Sequence, residues 1–133
     1  MPKTGVVHIV DDDDAVRDSV ALLLESSGYK FATYASAALF LEALPSLPPG
    51  GCIVSDVRMP GMDGLELQRT LVAQGVTLPI IIMTGHGDVP IAVQALKSGA
   101  ADFLEKPFED FLFAGRQRFV ILLRFRDQGL RLA

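Results

Sequence analysis

Short apolar runs alternate along the chain with longer segments that mix apolar and polar residues. The runs at residues 5–10, 52–55 and 80–83 are rich in Val, Ile and Leu and are bounded by Gly, Pro or Asp, a pattern typical of strands. Residues 29–34 indicate a second, weaker strand, and residues 101–105 a short fifth one. The first run is nearly all apolar up to its acidic end, as expected of a central parallel strand that is covered on both faces.

Four segments between these runs carry a helical pattern. In residues 15–27, apolar side chains recur from Val16 to Leu24 at spacings of four, three and one, which places them on one helical face. Ser36 can cap a second helix, which ends at Pro45. Two further helices are predicted at about residues 65–73 and in the segment that begins near Pro90 and ends before Gly99.

Strands that alternate with helices of this length require right-handed crossovers. The pattern therefore predicts an α/β fold, in which one five-stranded parallel sheet carries helices on both faces. In such sheets ligands bind beyond the carboxyl ends of the strands, near the point where the strand order reverses. A functional site is expected at that edge.

Residues with useful chemistry stand at four of the strand ends. Asp11 and Asp12 follow the first strand, and Asp56 follows the third. Thr84 ends the fourth strand, and Lys106 follows the fifth. The topology thus predicts that three carboxylates, a hydroxyl and an amine meet at one edge of the sheet.

Three carboxylates at one point repel each other, so either one of them takes up a proton or a cation compensates the charge. The three acids supply only oxygen ligands, and Mg²⁺ therefore fits such a site better than zinc. The acid cluster alone is also compatible with a calcium site or a structural site. A further alternative is that the acids from Asp11 to Asp14 decorate a helix N-terminus, where the helix dipole favours them; we adopt it for Asp13 and Asp14.

Thr84 and Lys106 favour a phosphoryl ligand, because a hydroxyl and an ammonium beside a cation suit a group with several anionic oxygens. One carboxylate can then act as the nucleophile and form an aspartyl phosphate. Asp56 suits this role because it stands alone at a strand end. Asp11 and Asp12 are adjacent in sequence and better placed to bind a metal.

Composition narrows the classes of function. The net charge of −4 argues against a nucleic-acid-binding surface, which needs clustered positive charge. No apolar run reaches the roughly 20 residues of a membrane span, and the first residues lack the layout of a signal peptide, so a cytoplasmic location is expected. Cys52 and His8 are interpreted as buried strand residues, and His86 as a loop residue.

Four motifs stand in order at the predicted strand ends, at residues 10–12, 55–64, 84–88 and 106–108. With these motifs the chain resembles response-regulator receiver domains of two-component signalling, from about residue 6 to residue 110. Residues 84–110 resemble the FixJ-type subgroup, whose members usually carry a helix-turn-helix DNA-binding domain after the receiver. The resemblance implies a flavodoxin-like, doubly wound sheet with the strand order 2-1-3-4-5.

The resemblance also implies a role for each residue of the site. Asp56 would accept a phosphoryl group from a sensor histidine kinase. Asp12 and the backbone carbonyl of Arg58 would join Asp56 in binding Mg²⁺, and Asp11 would act mainly through a metal-bound water. Arg58 and His86 stand at positions that tune how fast water removes the phosphate.

The remaining implied roles concern the switch. Thr84 would hydrogen-bond the phosphoryl group, Lys106 would pair with one of its oxygens, and Phe103 would change rotamer as Thr84 moves inward. Phe103 also fits a plain core position. Phosphorylation would shift the surface formed by strand four, helix four and strand five, and so control dimerisation or an output domain in transcription regulation. We expect that the chain is not an enzyme. It is expected to be a phosphoacceptor that takes part in its own phosphorylation and dephosphorylation.

Residues 1–110 are predicted to form the receiver core, and residues 111–133 an atypical fifth helix and tail without an output domain. Residues 111–126 have apolar residues on all sides of a helix and contain no acid, and Gly115 interrupts them. Three interpretations stay open for this tail: a buried helix, a homodimer surface together with helix four and strand five, or a non-native end. The dimer is favoured, because that much exposed apolar surface is costly on a monomer. DNA would be contacted only through an output domain.

Other functions fit less well. A phosphohydrolase of the haloacid-dehalogenase kind needs a second acid two residues after its nucleophile, where Arg58 stands. A dinucleotide-binding domain needs a Gly-rich turn after the first strand, where the acids from Asp11 to Asp14 stand instead. The main alternative is a receiver-like module that binds partners constitutively without phosphate turnover.

Overall fold

Strands and helices alternate in the order that the sequence predicts. The computed structural model describes residues 5–85 and 88–105. In this part of the chain the strands are β1 (Val6–Val10), β2 (Lys30–Tyr34), β3 (Cys52–Asp56), β4 (Ile80–Thr84) and β5 (Asp102–Glu105). The helices are α1 (Asp14–Ser26), α2 (Ala37–Ala43), α3 (Gly64–Ala73) and α4 (Val89–Lys97), and a 3₁₀ turn at Leu44–Ser46 follows α2.

The five strands form one sheet in the order β2-β1-β3-β4-β5, and every neighbouring pair is parallel. The predicted doubly wound fold and strand order are therefore confirmed. Strand order reverses at β1, which pairs with β2 on one side and with β3 on the other. The carboxyl ends of β1 and β3 thus form the crevice in which ligands of such sheets bind.

Side-chain caps explain where the helices begin. The Asp13 carboxylate accepts hydrogen bonds from the backbone N–H groups of Ala15 and Val16, so α1 begins at Asp14, one residue before its predicted start. Ser36 caps α2 as predicted, through the N–H of Leu39. At α3, Asp63 and Glu66 form a reciprocal capping box.

Both faces of the sheet are buried, as the apolar strands predict. One core cluster joins Val7, Ile9, Cys52 and Val54 to the apolar face of α1. The cluster on the other face contains Phe40 of α2, Leu67 and Leu71 of α3 and Ala95 of α4, together with strand residues that include Ile53 and Ile82. Cys52 is buried within its strand, so its interpretation as a core residue is confirmed.

His8 lies in the core, and its interpretation as a packed histidine is confirmed. The residue is 1% exposed, and Nδ1 lies 3.0 Å from the hydroxyl oxygen of Tyr34. The ring of Phe40 packs edge-on against it at 5.5 Å between ring centroids. Burial lowers the pKa of His8 below its ordinary value of 6.5, because the imidazolium would lose its hydration.

We predict that the pKa shift of His8 makes the fold less stable in mild acid. The unfolded chain binds the His8 proton near pH 6.5, and the folded state binds it only at lower pH. The contribution to stability is therefore fully present above pH 6.5 and is lost as the pH falls towards the folded pKa. Urea unfolding between pH 7.5 and 5.5 measures this loss. His8→Phe should flatten the dependence, whereas Tyr34→Phe, which keeps the buried imidazole, should retain it.

Gly64 lets the start of α3 approach the end of β3. A Cβ at this position would lie 2.5 Å from the carbonyl oxygen of Asp56 and 2.9 Å from Cα of Val57. Both of these atoms belong to the backbone, which cannot rotate away as a side chain can. The same approach allows the Gly64 N–H to donate to the Val57 carbonyl at 2.9 Å.

We predict that Gly64→Ala lowers the free energy of unfolding by about 1–3 kcal/mol, as overpacking typically does, and shifts the backbone at Asp56. Chemical unfolding measures the first effect, and amide NMR shifts of residues 56–58 measure the second. Gly75→Ala is the matched control, since Gly75 has φ +72° but no atom within 4 Å of the position that an added methyl group would take. It should cost about 1 kcal/mol of backbone strain and leave those amide shifts unchanged. Equal shifts in both variants would contradict the steric explanation.

Candidate functional site

Three carboxylates converge at the crevice between β1 and β3. One oxygen from each of Asp11, Asp12 and Asp56 lies within 4.8 Å of the others. Asp11 and Asp56 are buried, whereas Asp12 is exposed at the mouth of the site. The parallel register places Val10 opposite Ser55, so the residues that follow in the two strands meet at the same level. The structure thus brings together the three acids that the sequence predicts to meet.

Backbone hydrogen bonds hold Asp11 in place. Its own N–H donates to the Tyr34 carbonyl of β2 at 3.1 Å, which continues the β1–β2 ladder by one residue. Its carboxylate accepts from the N–H of Asp13 at 2.9 Å, and its carbonyl accepts from Nη1 of Arg17 at 2.6 Å. The carboxylate is therefore oriented by the start of α1 before any ligand arrives.

Asp56 is the last residue of β3, one position later in the strand than predicted, and its backbone is held on both sides. The Ser55 hydroxyl donates to its carbonyl at 3.0 Å. The N–H of Val57 donates to the Met83 carbonyl of β4 at 3.0 Å. The Oδ1 atom of Asp56 accepts a long hydrogen bond of 3.5 Å from the N–H of Arg58. The carboxylate is thereby presented at the end of a rigid strand.

The donor set fits a hard cation. The cluster offers carboxylate oxygens and no histidine nitrogen or thiolate, a set suited to Mg²⁺ or Ca²⁺ rather than zinc. Like charges at this separation destabilise each other, and a cation between them removes that cost. The arrangement can therefore bind a divalent cation next to a carboxylate whose backbone is fixed by the sheet.

Thr84 lies beside Asp56 on the neighbouring strand, because Asp56 pairs with Met83 in the β3–β4 register. Thr84 is buried, and its hydroxyl donates to the Leu104 carbonyl of β5 at 3.4 Å. Phe103, opposite Ile82, is half-buried and packs against the second core cluster. Thr84 and Phe103 thus lie on adjacent strands, as the predicted switch requires.

A bidentate ion pair also lies at this edge. Nε and Nη2 of Arg58 donate to the two carboxylate oxygens of Asp88 at 2.7 and 2.8 Å. The hydrogen bonds raise the pKa of Arg58 and lower that of Asp88. From the sequence, the backbone carbonyl of Arg58 was predicted to bind Mg²⁺, and its position to tune phosphate removal. The ion pair with Asp88 was not predicted. Asp88 stands at the predicted start of α4, at the same edge of the sheet as the β3–α3 loop. This position was the sequence signal for the pair.

Lys106 and His86 lie outside the residues that the structure describes, as do residues 111–133. The predictions for these positions therefore stay predictions. Within the described ranges, no helix is long and apolar enough to cross a membrane.

Known proteins share the fold of this chain and show its family. The family model described as response regulator receiver domain matches residues 7–113. The transcriptional regulatory protein FixJ of Azorhizobium caulinodans is 61% identical over 129 residues, a stretch that covers 97% of this chain and 60% of that protein. This chain thus spans about three fifths of the length of that relative.

Two of the solved structures that resemble this chain are those of FixJ proteins. The crystal structure of FixJ-N has a TM-score of 0.77 and 41% identity, with 98% of both chains covered. Full-length FixJ from B. japonicum has a TM-score of 0.80 and 49% identity, with 96% of this chain and 61% of that chain covered. With the family match over residues 7–113, the acid cluster at the strand ends and the strand order 2-1-3-4-5, this chain belongs to the response regulator receiver domains, with FixJ among its relatives.

Proposed function

We propose that the chain is a phosphorylation-dependent signalling switch in which Asp56 accepts a phosphoryl group from a sensor histidine kinase. The observation that carries this proposal is the convergence of Asp11, Asp12 and Asp56 within 4.8 Å at the carboxyl ends of two neighbouring strands. Thr84, with its hydroxyl, ends the next strand along. This combination suits a group that bears several anionic oxygens.

In the proposed reaction one carboxylate oxygen of Asp56 attacks the phosphorus atom. The new O–P bond forms as the P–N bond to the kinase histidine breaks, and the imidazole leaves with that electron pair. Asp56 reacts as the carboxylate and is held at the end of β3, so no base has to activate it. Thr84 would hydrogen-bond the transferred group, and Lys106 would pair with one of its oxygens. The chain is a phosphoacceptor that takes part in its own phosphorylation and dephosphorylation, rather than an enzyme with a separate substrate.

Asp11, Asp12, Asp56 and the backbone carbonyl of Arg58 are the proposed Mg²⁺ ligands, with Asp11 acting mainly through water. Bound Mg²⁺ would supply charge neutralisation for the phosphoryl oxygens. Asp11 and Asp56 contribute buried carboxylates whose backbones are fixed by neighbouring strands. The chain thus contributes oxygen ligands whose backbones are already fixed, so little rearrangement is needed to bind a cation.

The proposed output is a change in the surface formed by β4, α4 and β5. A hydrogen bond from Thr84 to the phosphoryl group would compete with its present bond to the Leu104 carbonyl, and Phe103 would follow. On α4, Val93 and Leu96 are exposed apolar residues, 41% and 37% accessible, that a second copy of the chain could cover. The FixJ relative from Azorhizobium caulinodans is a transcriptional regulatory protein. We therefore propose that this switch controls transcription through an output domain that contacts DNA.

We predict that Asp56 accepts phosphate from a small donor. Incubation with acetyl phosphate and Mg²⁺ should add one phosphoryl group to the intact mass, and the gain should require both Mg²⁺ and Asp56. Asp56→Asn should abolish it. Asp63→Asn is the matched control, because Asp63 is an acid of the same loop and asparagine caps a helix equally well. The absence of any gain in the folded, Mg²⁺-bound protein would favour the constitutive interaction module.

We predict that Mg²⁺ binding at the acid cluster stabilises the folded protein. Mg²⁺ at ten times its dissociation constant should raise the free energy of unfolding by about 1.4 kcal/mol. Asp12→Asn should reduce this gain and should also stabilise the metal-free protein, because it removes one of three repelling charges. Asp18→Asn, an exposed acid on α1, should leave both quantities unchanged. Thermal unfolding with and without Mg²⁺ measures them, and equal Mg²⁺ responses in all three proteins would place the cation elsewhere.

A further inference from the structure

The Arg58–Asp88 ion pair joins the two loops that flank Asp56. Arg58 stands two residues after Asp56 in the β3–α3 loop, and Asp88 stands four residues after Thr84, directly before α4. Two nitrogens of the guanidinium contact both carboxylate oxygens at 2.7 and 2.8 Å. Paired forks of this kind are the strongest and most directional of the common ion pairs. The contact therefore ties the start of α4 to the loop that carries a proposed Mg²⁺ ligand.

Asp88 makes this contact instead of capping its own helix. Asp13 and Asp63 stand at the corresponding positions of α1 and α3, and both accept hydrogen bonds from the backbone of their helices. The Asp88 side chain makes no such bond to α4. Since the positive end of a helix attracts a carboxylate, Asp88 has two competing partners, the N-terminus of α4 and the Arg58 guanidinium.

Arg58 is also close to Asp56 in the chain. Its backbone N–H donates to Oδ1 of Asp56 at 3.5 Å, so its side chain starts beside the proposed phosphorylation site. The planar fork of an arginine binds a phosphoryl group in the same bidentate way as a carboxylate. A phosphorylated Asp56 would carry nearly two negative charges, against the single charge of Asp88. The modified site would thus compete with Asp88 for one guanidinium.

Open space lies beside Arg58. A groove of about 390 Å³ lies between the β3–α3 loop and α4, and Arg58, Met59, Leu65 and Ile91 are among its lining residues. The Arg58 side chain is 67% exposed, so it can turn without disturbing the packed core.

On the basis of the proposed phosphorylation of Asp56, we infer that Asp88 is a positioning residue that acts through Arg58. While Asp56 is unmodified, Asp88 holds the guanidinium away from the phosphoryl site. When the phosphoryl group arrives, Arg58 turns to it, and the released Asp88 carboxylate caps α4. The exchange carries the phosphorylation state of Asp56 to the start of α4.

Asp88→Asn tests the hold on Arg58. Asparagine keeps the capping ability but loses the charge that retains the guanidinium, so Arg58 becomes available to the phosphodonor. The concentration of acetyl phosphate that gives half-maximal phosphorylation should fall by a factor of about two to five, the range expected for an exposed ion pair. The maximal rate should not change, because the nucleophile is untouched.

Two further variants separate this effect from a general change of charge. In an Arg58→Ala background, Asp88→Asn should no longer alter the half-saturating concentration. Asp63→Asn removes the same charge from another residue that lines the groove, and it should have no effect. A fall that persists without Arg58, or that Asp63→Asn reproduces, would overturn the inference.

A direct readout is the NMR signal of the Arg58 Nε–H group. It should move when acetyl phosphate and Mg²⁺ phosphorylate the native chain, stay in place in Asp56→Asn, and be shifted in Asp88→Asn before any phosphodonor is added. If the native chain gains no phosphoryl mass, the proposed function fails and this inference with it. If it gains that mass while Asp88→Asn leaves half-saturation and the Nε–H signal unchanged, only this inference fails.

Discussion

Repulsion among the carboxylates of Asp11, Asp12 and Asp56 is the constraint on which the rest of the site depends. Their oxygens lie within 4.8 Å of one another, and two of the three side chains are buried. Left to itself, such a cluster would spread apart or take up a proton. Strand backbones that cannot separate without breaking the sheet hold it together, and the repulsion makes the site receptive to a cation. In the proposed function, that cation in turn offsets the charge of the phosphoryl group.

Backbone hydrogen bonds that continue one residue beyond β1 and β3 hold the carboxylate cluster in place. The N–H of Asp11 reaches β2 and the N–H of Val57 reaches β4, so the backbone is still anchored where the carboxylates project. Gly64 allows α3 to start directly against the Asp56 backbone. The stability of the sheet and the chemistry of its edge are therefore linked, because whatever loosens the ends of β1 or β3 also moves the acids.

Helix α4 is bound to the rest of the molecule in two different ways. Near its C-terminal end, the buried Gln68 of α3 donates to the Ala95 carbonyl at 3.1 Å, in a position shielded from solvent. At its N-terminal end, the Arg58–Asp88 pair provides a contact that, in the inference above, a phosphoryl group on Asp56 would exchange. A helix held firmly at one end and by an exchangeable ion pair at the other is suited to convey a local change of charge to its exposed face.

The sequence by itself determined the α/β class of the fold, the helix cap at Ser36, the acids Asp13 and Asp14 at a helix N-terminus, and the meeting of Asp11, Asp12 and Asp56. These features follow from local patterns and from one rule, since all strands of a parallel sheet end at the same edge. Only the tertiary structure decided the Arg58–Asp88 and His8–Tyr34 pairs, whose partners are 30 and 26 residues apart. The Arg58–Asp88 pair depends on where the first turn of α4 lies against the sheet, which side-chain packing across the core sets. The His8–Tyr34 pair depends on β2 lying beside β1 in this particular register.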